Sequence, residues 1–542
     1  MSRRLRTIAR FMSQPVVGDL PVLVSFMALT FVTPAIFIAS LEGRGVTMPV
    51  GETTLWVASS LLLAYFSTLI YSVFHNRAVV ISLYVILGLG ALIDIICYVS
   101  MGGIYGAWIV EQVLGTNFGE ASEFLFEKTS PKPVVYICAT TLASAAGYFL
   151  VKIFVKPRWR CNRVYRLVAA LLVVASAVIT VVGFCENPGS AFVRTGYVFK
   201  LFNLTDIRPV PDIVPANPAI SPTSATRPAN VVVVIGESMN RTHCHYDGYP
   251  LPTTPNIERM HADSLLWLFN DVDAADFHTI QCFKRFMSTN NSTDADAPWN
   301  TSPNIIEVAR LAGYRTIWLS TQSRAGVYDN VVSKFGHFCD VKKWLRGETL
   351  SDSRRNILDG ELLPCIVGFL NDGHDGNNMF FIHLMGSHPN FRFRYPEEFA
   401  HFTADDYPHR LPAQRATMAH YDNSILYTDS VLADMMHAFD GTPAVVIYFS
   451  DHGLDVYDSA PDFCEHAKPG VEASERVCRA IPFMIYTTPE FKRDFPMTTR
   501  RIIDAQPRHY DCGDLIYTVM DIINVTFDDS PDAVPAHSLL GQ

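Results

Sequence analysis

The amino-acid sequence predicts a five-helix transmembrane domain followed by an α/β domain, in which a mostly parallel sheet is sandwiched by helices. Three observations support this prediction. Five apolar segments of membrane-spanning length lie in the N-terminal part, and the net charge changes sign between that part and the rest. Further along, apolar runs of strand length alternate with helical patterns, which is typical of parallel strands joined by crossover helices.

The five apolar segments are predicted to cross a membrane, because each reaches or approaches the roughly 20 residues that a helix needs to span a bilayer. They cover residues 20–41, 55–74, 78–99, 133–155 and 167–184. Their loops carry eleven Lys and Arg on one side of the membrane and three on the other. The positive-inside rule then places the N-terminus in the cytoplasm and everything after residue 184 outside it.

Charge and proline content divide the chain into three parts. The transmembrane domain, residues 1–186, carries 14 Lys and Arg against 9 Asp and Glu, whereas residues 187–542 carry 29 against 44. Net charges of +5 and −15 fit a basic membrane part and an acidic soluble part, and they argue against a nucleic-acid partner. Residues 102–132 are too polar to cross the membrane and are predicted to form an interfacial loop on its outer side. Residues 187–229 are predicted to form an interfacial helix and a proline-rich linker, ahead of the α/β domain at 230–542.

In the α/β domain, apolar runs of strand length alternate with helical patterns. Strands are predicted at residues 231–235, 316–320, 379–384, 444–449 and 483–487. Two of the helices between them are predicted at 304–312, closed by Gly313, and at 414–439, closed by Gly441.

Two of the predicted strands end in side chains that bind metals. Glu237 follows the first strand, and Asp451 and His452 follow the fourth. Open α/β sheets place their chemistry at the carboxyl ends of parallel strands, so these three side chains are expected to meet. Carboxylate oxygen together with imidazole nitrogen suits zinc, and the sequence therefore predicts a metal-dependent catalytic domain.

Several motifs resemble those of the phosphoethanolamine transferases, which belong to the alkaline phosphatase/sulfatase superfamily. They occur in the order expected for that family and are Gly236-Glu-Ser-x-x-Arg241, Tyr246-x-Gly-Tyr-Pro250, Thr253-Thr-Pro-Asn256, Met385-Gly-Ser-His388 and Ser450-Asp-His-Gly453. The five-span N-terminal part is similar too, so the resemblance covers essentially the whole chain. The amino-acid sequence around residues 392–396 and 455–458 is most similar to the branch of the family that modifies the core heptose of lipopolysaccharide.

The resemblance implies a threonine nucleophile shortly after the first motif. Thr279 is assigned this role, and it would also coordinate the metal, which activates a hydroxyl that is otherwise a poor nucleophile. Thr289 and Thr293 stay open as alternatives. A sulfatase would instead need Cys or Ser in a C/S-x-P-x-R setting, which is missing around Thr279 and argues against hydrolysis of sulfate esters.

Further roles come from the same resemblance. His388 and His466 are similar to two outer histidines that contact the phosphoryl group or a second zinc, so one zinc ion is expected and a second is left open. Gln112, Thr116 and Glu120 are similar to positions that bind the ethanolamine head of the donor lipid, although a solvated acidic face is the alternative for this segment. Seven further histidines of the outer part have no motif support and are interpreted as structural or surface residues: His243, His245, His337, His374, His383, His420 and His509.

The resemblance implies a monomeric protein of the bacterial inner membrane whose catalytic domain faces the periplasm. It would transfer phosphoethanolamine from phosphatidylethanolamine to an envelope glycolipid, lipopolysaccharide core or lipid A, through a covalent phosphothreonine, and it would release diacylglycerol. Two alternatives remain: a glycerol-phosphate transferase of the lipoteichoic acid synthase type, and a catalytically inactive relative that serves as a binding or scaffold protein.

Overall fold

The computed structural model describes residues 11–32, 35, 50–74, 76–101, 132–154, 210–290, 298–323, 331–346, 357–459, 464–467 and 471–541. The chain divides into two compact units. One comprises residues 1–114 and 124–208, and the other comprises residues 115–123 and 209–542. The predicted domain limits at residues 186 and 229 stay a prediction.

The first unit is helical in the part that the structure describes. Its helices are α1 (Gln14–Val17), α2 (Leu20–Thr30), α3 (Val50–Phe74), α4 (Arg77–Met101) and α5 (Lys132–Phe154). Two stretches, Trp56–Phe74 and Ala78–Cys97, are long and apolar enough to cross a membrane by length and composition. They coincide with the second and third predicted spans. The shorter apolar helices Leu20–Thr30 and Cys138–Leu150 overlap the first and fourth predicted spans.

The count of five spans therefore stays a prediction. Among the described residues two helices meet the length and hydropathy criterion, and the fifth predicted span, 167–184, lies outside them. The surface of this unit nevertheless fits a membrane. Large apolar side chains such as Ile81, Leu142 and Ile153 are 63–70% exposed, although a soluble protein rarely leaves so many apolar groups in water.

The second unit contains the strands of the predicted α/β domain. They are β1 (Ile220–Pro222), β2 (Asn230–Gly236), β3 (Leu266–Phe269), β4 (Val272–Asp273), β5 (Arg315–Ser323), β6 (Val341–Arg346), β7 (Asn378–His383), β8 (Ala444–Ser450), β9 (Asp455–Val456), β10 (Cys464–Glu465), β11 (Phe483–Thr487), β12 (Tyr510–Asp511) and β13 (Val525–Phe527).

Helices connect and cover these strands. They are α6 (Pro255–Ala262), α7 (Thr279–Phe286), α8 (Ile305–Leu311), α9 (Val331–Phe338), α10 (Leu363–Leu370), α11 (Pro412–His437), α12 (Glu472–Arg479), α13 (Pro489–Asp494), α14 (Pro496–Ala505), α15 (Leu515–Ile522) and α16 (Ala533–His537). Short 3-10 turns lie at Arg241–His243, His245–Asp247, Asp359–Leu362, Phe391–Phe393, Glu397–Phe399, Ala404–Asp406 and Cys512–Asp514. The helices predicted at 304–312 and 414–439 correspond to α8 and α11, and Gly313 and Gly441 follow them with positive φ.

A seven-stranded mixed sheet forms the centre of this unit, in the order β3-β11-β8-β2-β7-β5-β6. The five strands from β8 to β6 run parallel, and β11 runs antiparallel to both β8 and β3. The prediction of a mostly parallel sheet is thus confirmed, with β11 as the exception. The direction of β11 was not predicted, because an apolar run carries no information about strand direction.

Strand β2 lies in the middle of the sheet, and every one of its residues is buried. Val231, Val233 and Ile235 pack into one hydrophobic core, whereas Val232 and Val234 pack into a second core on the other face. This alternation follows from the two-residue period of a strand. Helices therefore cover both faces of the sheet, as the sequence predicts, and only the strand ends are left for polar chemistry.

Candidate metal centre

Glu237 and Asp451 lie side by side because they follow the C-terminal ends of two neighbouring strands, β2 and β8. Strand β2 ends at Gly236 and β8 ends at Ser450, and these two residues pair directly in the parallel register. The next residue of each strand is a carboxylate, so the two acids leave the sheet side by side. Gly236 allows this packing, because a Cβ at its position would lie 2.6 Å from the Tyr448 hydroxyl oxygen.

The three predicted ligands form one buried cluster. Ligand atoms of Glu237, Asp451 and His452 all lie within 4.8 Å of one another. His452 Nε2 is 3.5 Å from Glu237 Oε1 and 3.4 Å from Asp451 Oδ2. Thr279 completes the group, since its Oγ1 is 3.3 Å from Glu237 Oε2 and 3.2 Å from His452 Nε2. The structure thus brings together all four residues predicted to bind the metal.

The electrostatics of the cluster fit a bound cation. Burial, reinforced by the charge of Asp451, raises the pKa of Glu237 to about 8, and burial raises the pKa of Asp451 to about 7. Asp451 Oδ2 is buried and has no hydrogen-bond partner within the described part of the chain. A divalent ion would compensate both carboxylates and use this oxygen, and one imidazole with three oxygens is a donor set that zinc accepts.

Hydrogen bonds orient the ligands. His452 Nδ1 lies 3.0 Å from the Gly453 carbonyl oxygen, so this nitrogen carries the proton and Nε2 faces the cluster. Asp451 Oδ1 accepts from the backbone N–H of His452 at 2.8 Å and of Ser238 at 3.2 Å. Ser238 Oγ also donates to Glu237 Oε1 at 2.7 Å. Each ligand therefore presents a defined atom to the centre.

Thr279 is the first residue of helix α7, whose preceding residue His278 is extended. Free backbone N–H groups at a helix N-terminus favour an incoming phosphate, which suits the predicted nucleophile. Of the two alternatives, Thr289 lies beyond the C-terminal end of α7, and Thr293 falls outside the described residues. The geometry therefore favours Thr279.

His388 follows β7 in a turn that several contacts hold in place. Asp359 is buried and accepts from the N–H of Met385 and of Gly386, each at 2.8 Å. Arg394 Nε donates to the His388 carbonyl at 3.1 Å. Burial and the nearby Arg394 charge lower the pKa of His388 to about 3, and its Nδ1 has no partner among the described residues.

His466 lies against the cluster. Its ring centroid is 4.8 Å from that of His452, and on another side it stacks at 5.2 Å on His278. Burial and the neighbouring His452 and His278 hold the pKa of His466 well below its usual range. Both outer histidines are therefore neutral at neutral pH, and the structure places His466 next to a predicted ligand.

Two residues near the site were missed by the sequence interpretation. His278 stacks on His466, and Gln322 Nε2 lies 3.3 Å from Glu237 Oε2. Gln322 is found near the end of β5, so the strand-end rule that selected Glu237 would have found it too. The predicted donor-lipid residues Gln112, Thr116 and Glu120 lie outside the described residues.

Comparison with known proteins identifies the family. The family model described as Sulfatase matches residues 229–525, more than half of the chain. This chain belongs to the sulfatase family. Phosphoethanolamine transferase EptC of Escherichia coli (strain K12) is 26% identical to it over 472 residues, which cover 82% of this chain and 79% of EptC.

The solved structures that are similar to this chain include two phosphoethanolamine transferases. The C-terminal periplasmic domain of EptC from Escherichia coli, in complex with zinc, matches with a TM-score of 0.54 and 25% identity, over 61% of this chain and 90% of that domain. The integral membrane protein lipooligosaccharide phosphoethanolamine transferase A from Neisseria meningitidis matches with a TM-score of 0.63, over 95% of this chain and 98% of that protein. The second match is 18% identical and shows the fold alone. The predicted resemblance to phosphoethanolamine transferases and the alkaline phosphatase/sulfatase-like fold are confirmed.

Proposed function

We propose that this protein transfers phosphoethanolamine from phosphatidylethanolamine to a lipopolysaccharide or another envelope glycolipid. The observation that carries the proposal is the position of the Thr279 hydroxyl, 3.2 Å from His452 Nε2 and 3.3 Å from Glu237 Oε2, at the first residue of a helix. A hydroxyl held among buried metal-ligand side chains is suited to attack phosphorus. The similarity to EptC, a phosphoethanolamine transferase, supports the transferred group. The sequence around residues 392–396 and 455–458 favours a core heptose acceptor.

Zinc would be held by Glu237, Thr279, Asp451 and His452, with one ion at this centre. When bound, it would supply positive charge that makes the hydroxyl more acidic and offsets charge on the phosphoryl oxygens. The protein contributes the placement of the four donors and a buried setting in which these interactions are strong.

Thr279 Oγ1 would form the new bond to phosphorus as the bond to the diacylglycerol oxygen breaks, and that oxygen leaves with a proton as diacylglycerol. The phosphoethanolamine group would then pass from Thr279 to an acceptor oxygen, and the hydroxyl would be restored. His388 and His466 are the further candidate catalytic residues: they would bind the phosphoryl oxygens or protonate and deprotonate the reactants of the second half-reaction. The buried Nδ1 atom of the half-buried His388 has no hydrogen-bond partner among the described residues, which supports this role, because a buried polar atom favours a ligand that supplies its hydrogen bond.

The remaining predictions complete the proposal. Five spans over residues 1–186 would hold the chain in the bacterial inner membrane as a monomer, with the N-terminus cytoplasmic. The domain at 230–542 would face the periplasm, joined through residues 187–229. In the interfacial loop at 102–132, Gln112, Thr116 and Glu120 would bind the ethanolamine head of the donor. A carboxylate beside two polar groups is a suitable partner for an ammonium ion.

Replacing the threonine tests the covalent step. Thr279→Ala should abolish both diacylglycerol release and acceptor modification, a loss of several orders of magnitude, while Thr279→Ser should keep part of the activity because its hydroxyl can still attack. Peptide mass mapping after incubation with phosphatidylethanolamine should find the adduct on the peptide that contains Thr279. Thr289→Ala is the matched control and should transfer normally.

The outcomes separate the alternatives. An adduct on Thr289 or Thr293 would make the nucleophile assignment wrong and leave the reaction class intact. A glycerol-phosphate adduct formed from phosphatidylglycerol would favour the lipoteichoic acid synthase type. Normal diacylglycerol release by Thr279→Ala would refute the covalent mechanism, and full zinc content without any adduct or turnover would favour an inactive scaffold.

A further inference from the structure

A buried cluster of charges lies beyond the residues that the proposed reaction uses. His243 is 1% exposed, and its two ring nitrogens face two carboxylates. Nδ1 is 2.7 Å from Asp422 Oδ1, and Nε2 is 3.2 Å from Asp458 Oδ2. Burial alone would lower the pKa of His243, but the charges and hydrogen bonds of these two carboxylates raise it to about 10. The ring is therefore an imidazolium at neutral pH.

The other contacts of the cluster fix it to helix α11, which carries Asp422. The second oxygen of Asp422 accepts from the Tyr249 hydroxyl at 2.6 Å and from the Tyr407 hydroxyl. The His243 ring stacks on Tyr249, with 4.6 Å between centroids, and meets the edge of Tyr421. Asp422 is fully buried and accepts from three donors, one of which is the His243 imidazolium, so its charge is well compensated and the cluster is held rigidly.

Tyr421, the neighbour of Asp422 on α11, contacts the ligand loop directly. Its hydroxyl donates to the carbonyl of Ser238 at 2.8 Å and accepts from the N–H of Asn240 at 2.9 Å. Ser238 directly follows Glu237. The segment from Glu237 to His243 is thus attached to α11 at both ends, by Tyr421 near its start and by Asp422 at its end.

The positions of His243 and Asp458 along the chain indicate that their contact joins the two loops that carry the metal ligands. His243 lies six residues after Glu237, and Asp458 lies six residues after His452. We propose that His243 is a positioning residue, which ties the loop carrying Glu237 to the loop carrying Asp451 and His452 through its contact with Asp458. This inference rests on the proposed metal centre. In this role His243 maintains the arrangement of the metal ligands and does not contact the substrate.

The physical reason is that Glu237 and the Asp451–His452 pair lie on separate strands. Their backbones pair up to Gly236 and Ser450, and beyond that point side chains join the two loops. Ser450 Oγ accepts from the N–H of Met239 at 2.8 Å, Asn240 Nδ2 donates to the Leu454 carbonyl at 3.3 Å, and the His243–Asp458 contact lies farthest from the strand ends. Side-chain contacts must hold the loops at the separation that zinc requires. Substitutions in the outer shell of a metal site commonly reduce metal affinity by about 10–100-fold.

Asp458→Asn is the decisive variant, because it removes the charge on one loop and leaves the His243–Asp422 contact in place. Zinc dissociation constants would be measured by chelator competition on the full-length protein in detergent, together with kcat, KM for the donor lipid and the melting temperature. We expect the zinc dissociation constant to rise by about tenfold or more, and kcat to fall at limiting zinc, with KM for the donor lipid unchanged. Excess zinc should restore kcat.

His243→Gln should show the same effects more strongly. His245→Gln is the matched control, since His245 also pairs with a carboxylate, Glu258 at 2.7 Å, but this pair is partly exposed and joins neither strand-end loop. It should leave zinc binding and turnover unchanged. If His243→Gln does not fold, Asp458→Asn still decides the question.

One result would refute the role of His243, and a different result would refute the proposed metal centre. Wild-type zinc affinity and kcat in folded Asp458→Asn, with or without a lower melting temperature, would reduce the His243 cluster to a structural role and refute the proposal. Asp451→Ala tests the metal centre itself: if it kept full zinc content, the proposed function would fail, whatever the His243 variants show.

Discussion

Gly386→Ala tests how closely the turn after β7 packs on the proposed metal ligand. Gly386 has a φ of +50°, and a Cβ at this position would lie 2.8 Å from both the backbone nitrogen and the carbonyl oxygen of Glu237. The Glu237 carbonyl also accepts from the N–H of Ser387 at 2.9 Å, so the two segments are already joined. Alanine would therefore push directly on the backbone that carries Glu237.

Two contributions set the size of the effect. An alanine in the left-handed region costs about 1–2 kcal/mol. An extra methyl group in a tightly packed place costs about 1–3 kcal/mol if neighbouring groups do not move. The free energy of unfolding should then fall by about 2–5 kcal/mol. If the turn moves instead, the strain is relieved, but Glu237 shifts and zinc affinity falls, because zinc–oxygen bonds tolerate little change in length.

Gly441→Ala is the matched control. Gly441 also has positive φ, +84°, but no heavy atom lies within 4 Å of the Cβ that alanine would add. This variant should lose only the conformational contribution of about 1–2 kcal/mol and bind zinc normally. Thermal unfolding and zinc titration of both variants would separate the steric effect at Gly386. Equal destabilisation of the two proteins, with zinc affinity intact in Gly386→Ala, would refute the reasoning.

The remaining predictions concern pH and topology. In zinc-free protein the pKa values of Glu237, about 8, and Asp451, about 7, exceed the ordinary carboxyl pKa of about 4, so the folded state binds protons more tightly than the unfolded state. Their contribution to stability is therefore present below pH ~4 and lost as pH rises towards 8. The melting temperature in chelator should fall over this range relative to Glu237→Gln, and a rise would contradict the assignment. A reporter fused after Gln542 should be periplasmic and one near Arg160 cytoplasmic, and a cytoplasmic C-terminus would rule out a periplasmic catalytic domain.

The sequence predicts those parts of the molecule that depend on local pattern. Strands β2 and β8 are fully buried, so they are apolar along their whole length and stand out from their surroundings. Glu237 and Asp451 end these strands, and their proximity follows once the strands are adjacent and parallel. Strands β3 and β6 were missed. They lie at the two edges of the sheet, where β6 carries two adjacent exposed lysines and β3 has only four residues.

The sequence does not predict contacts between distant segments. His243 has no motif support and was interpreted as structural or surface, because Asp422 and Asp458 are 179 and 215 residues away along the chain. The same holds for Gly386, whose positive φ and approach to Glu237 depend on the pairing of β2 with β7. We propose that such contacts decide the geometry of the centre, whereas strand patterns alone predict three of its four candidate ligands, Glu237, Asp451 and His452.

Metal binding and folding should be coupled in this protein. Glu237 and Asp451 are 2% and 1% exposed and share one small volume, so without a cation they are stable together only when protons replace it. A bound divalent ion stabilises the folded state by an amount that grows with the logarithm of its affinity, because the unfolded chain does not hold these ligands together. A variant with weakened zinc binding will then also melt at a lower temperature, even if its fold is otherwise unchanged. Melting temperatures for the Gly386 and Asp458 variants must therefore be compared at saturating zinc and in chelator. A deficit that disappears with zinc removed identifies a residue that acts through the metal centre, whereas one that persists identifies a residue that stabilises the fold itself.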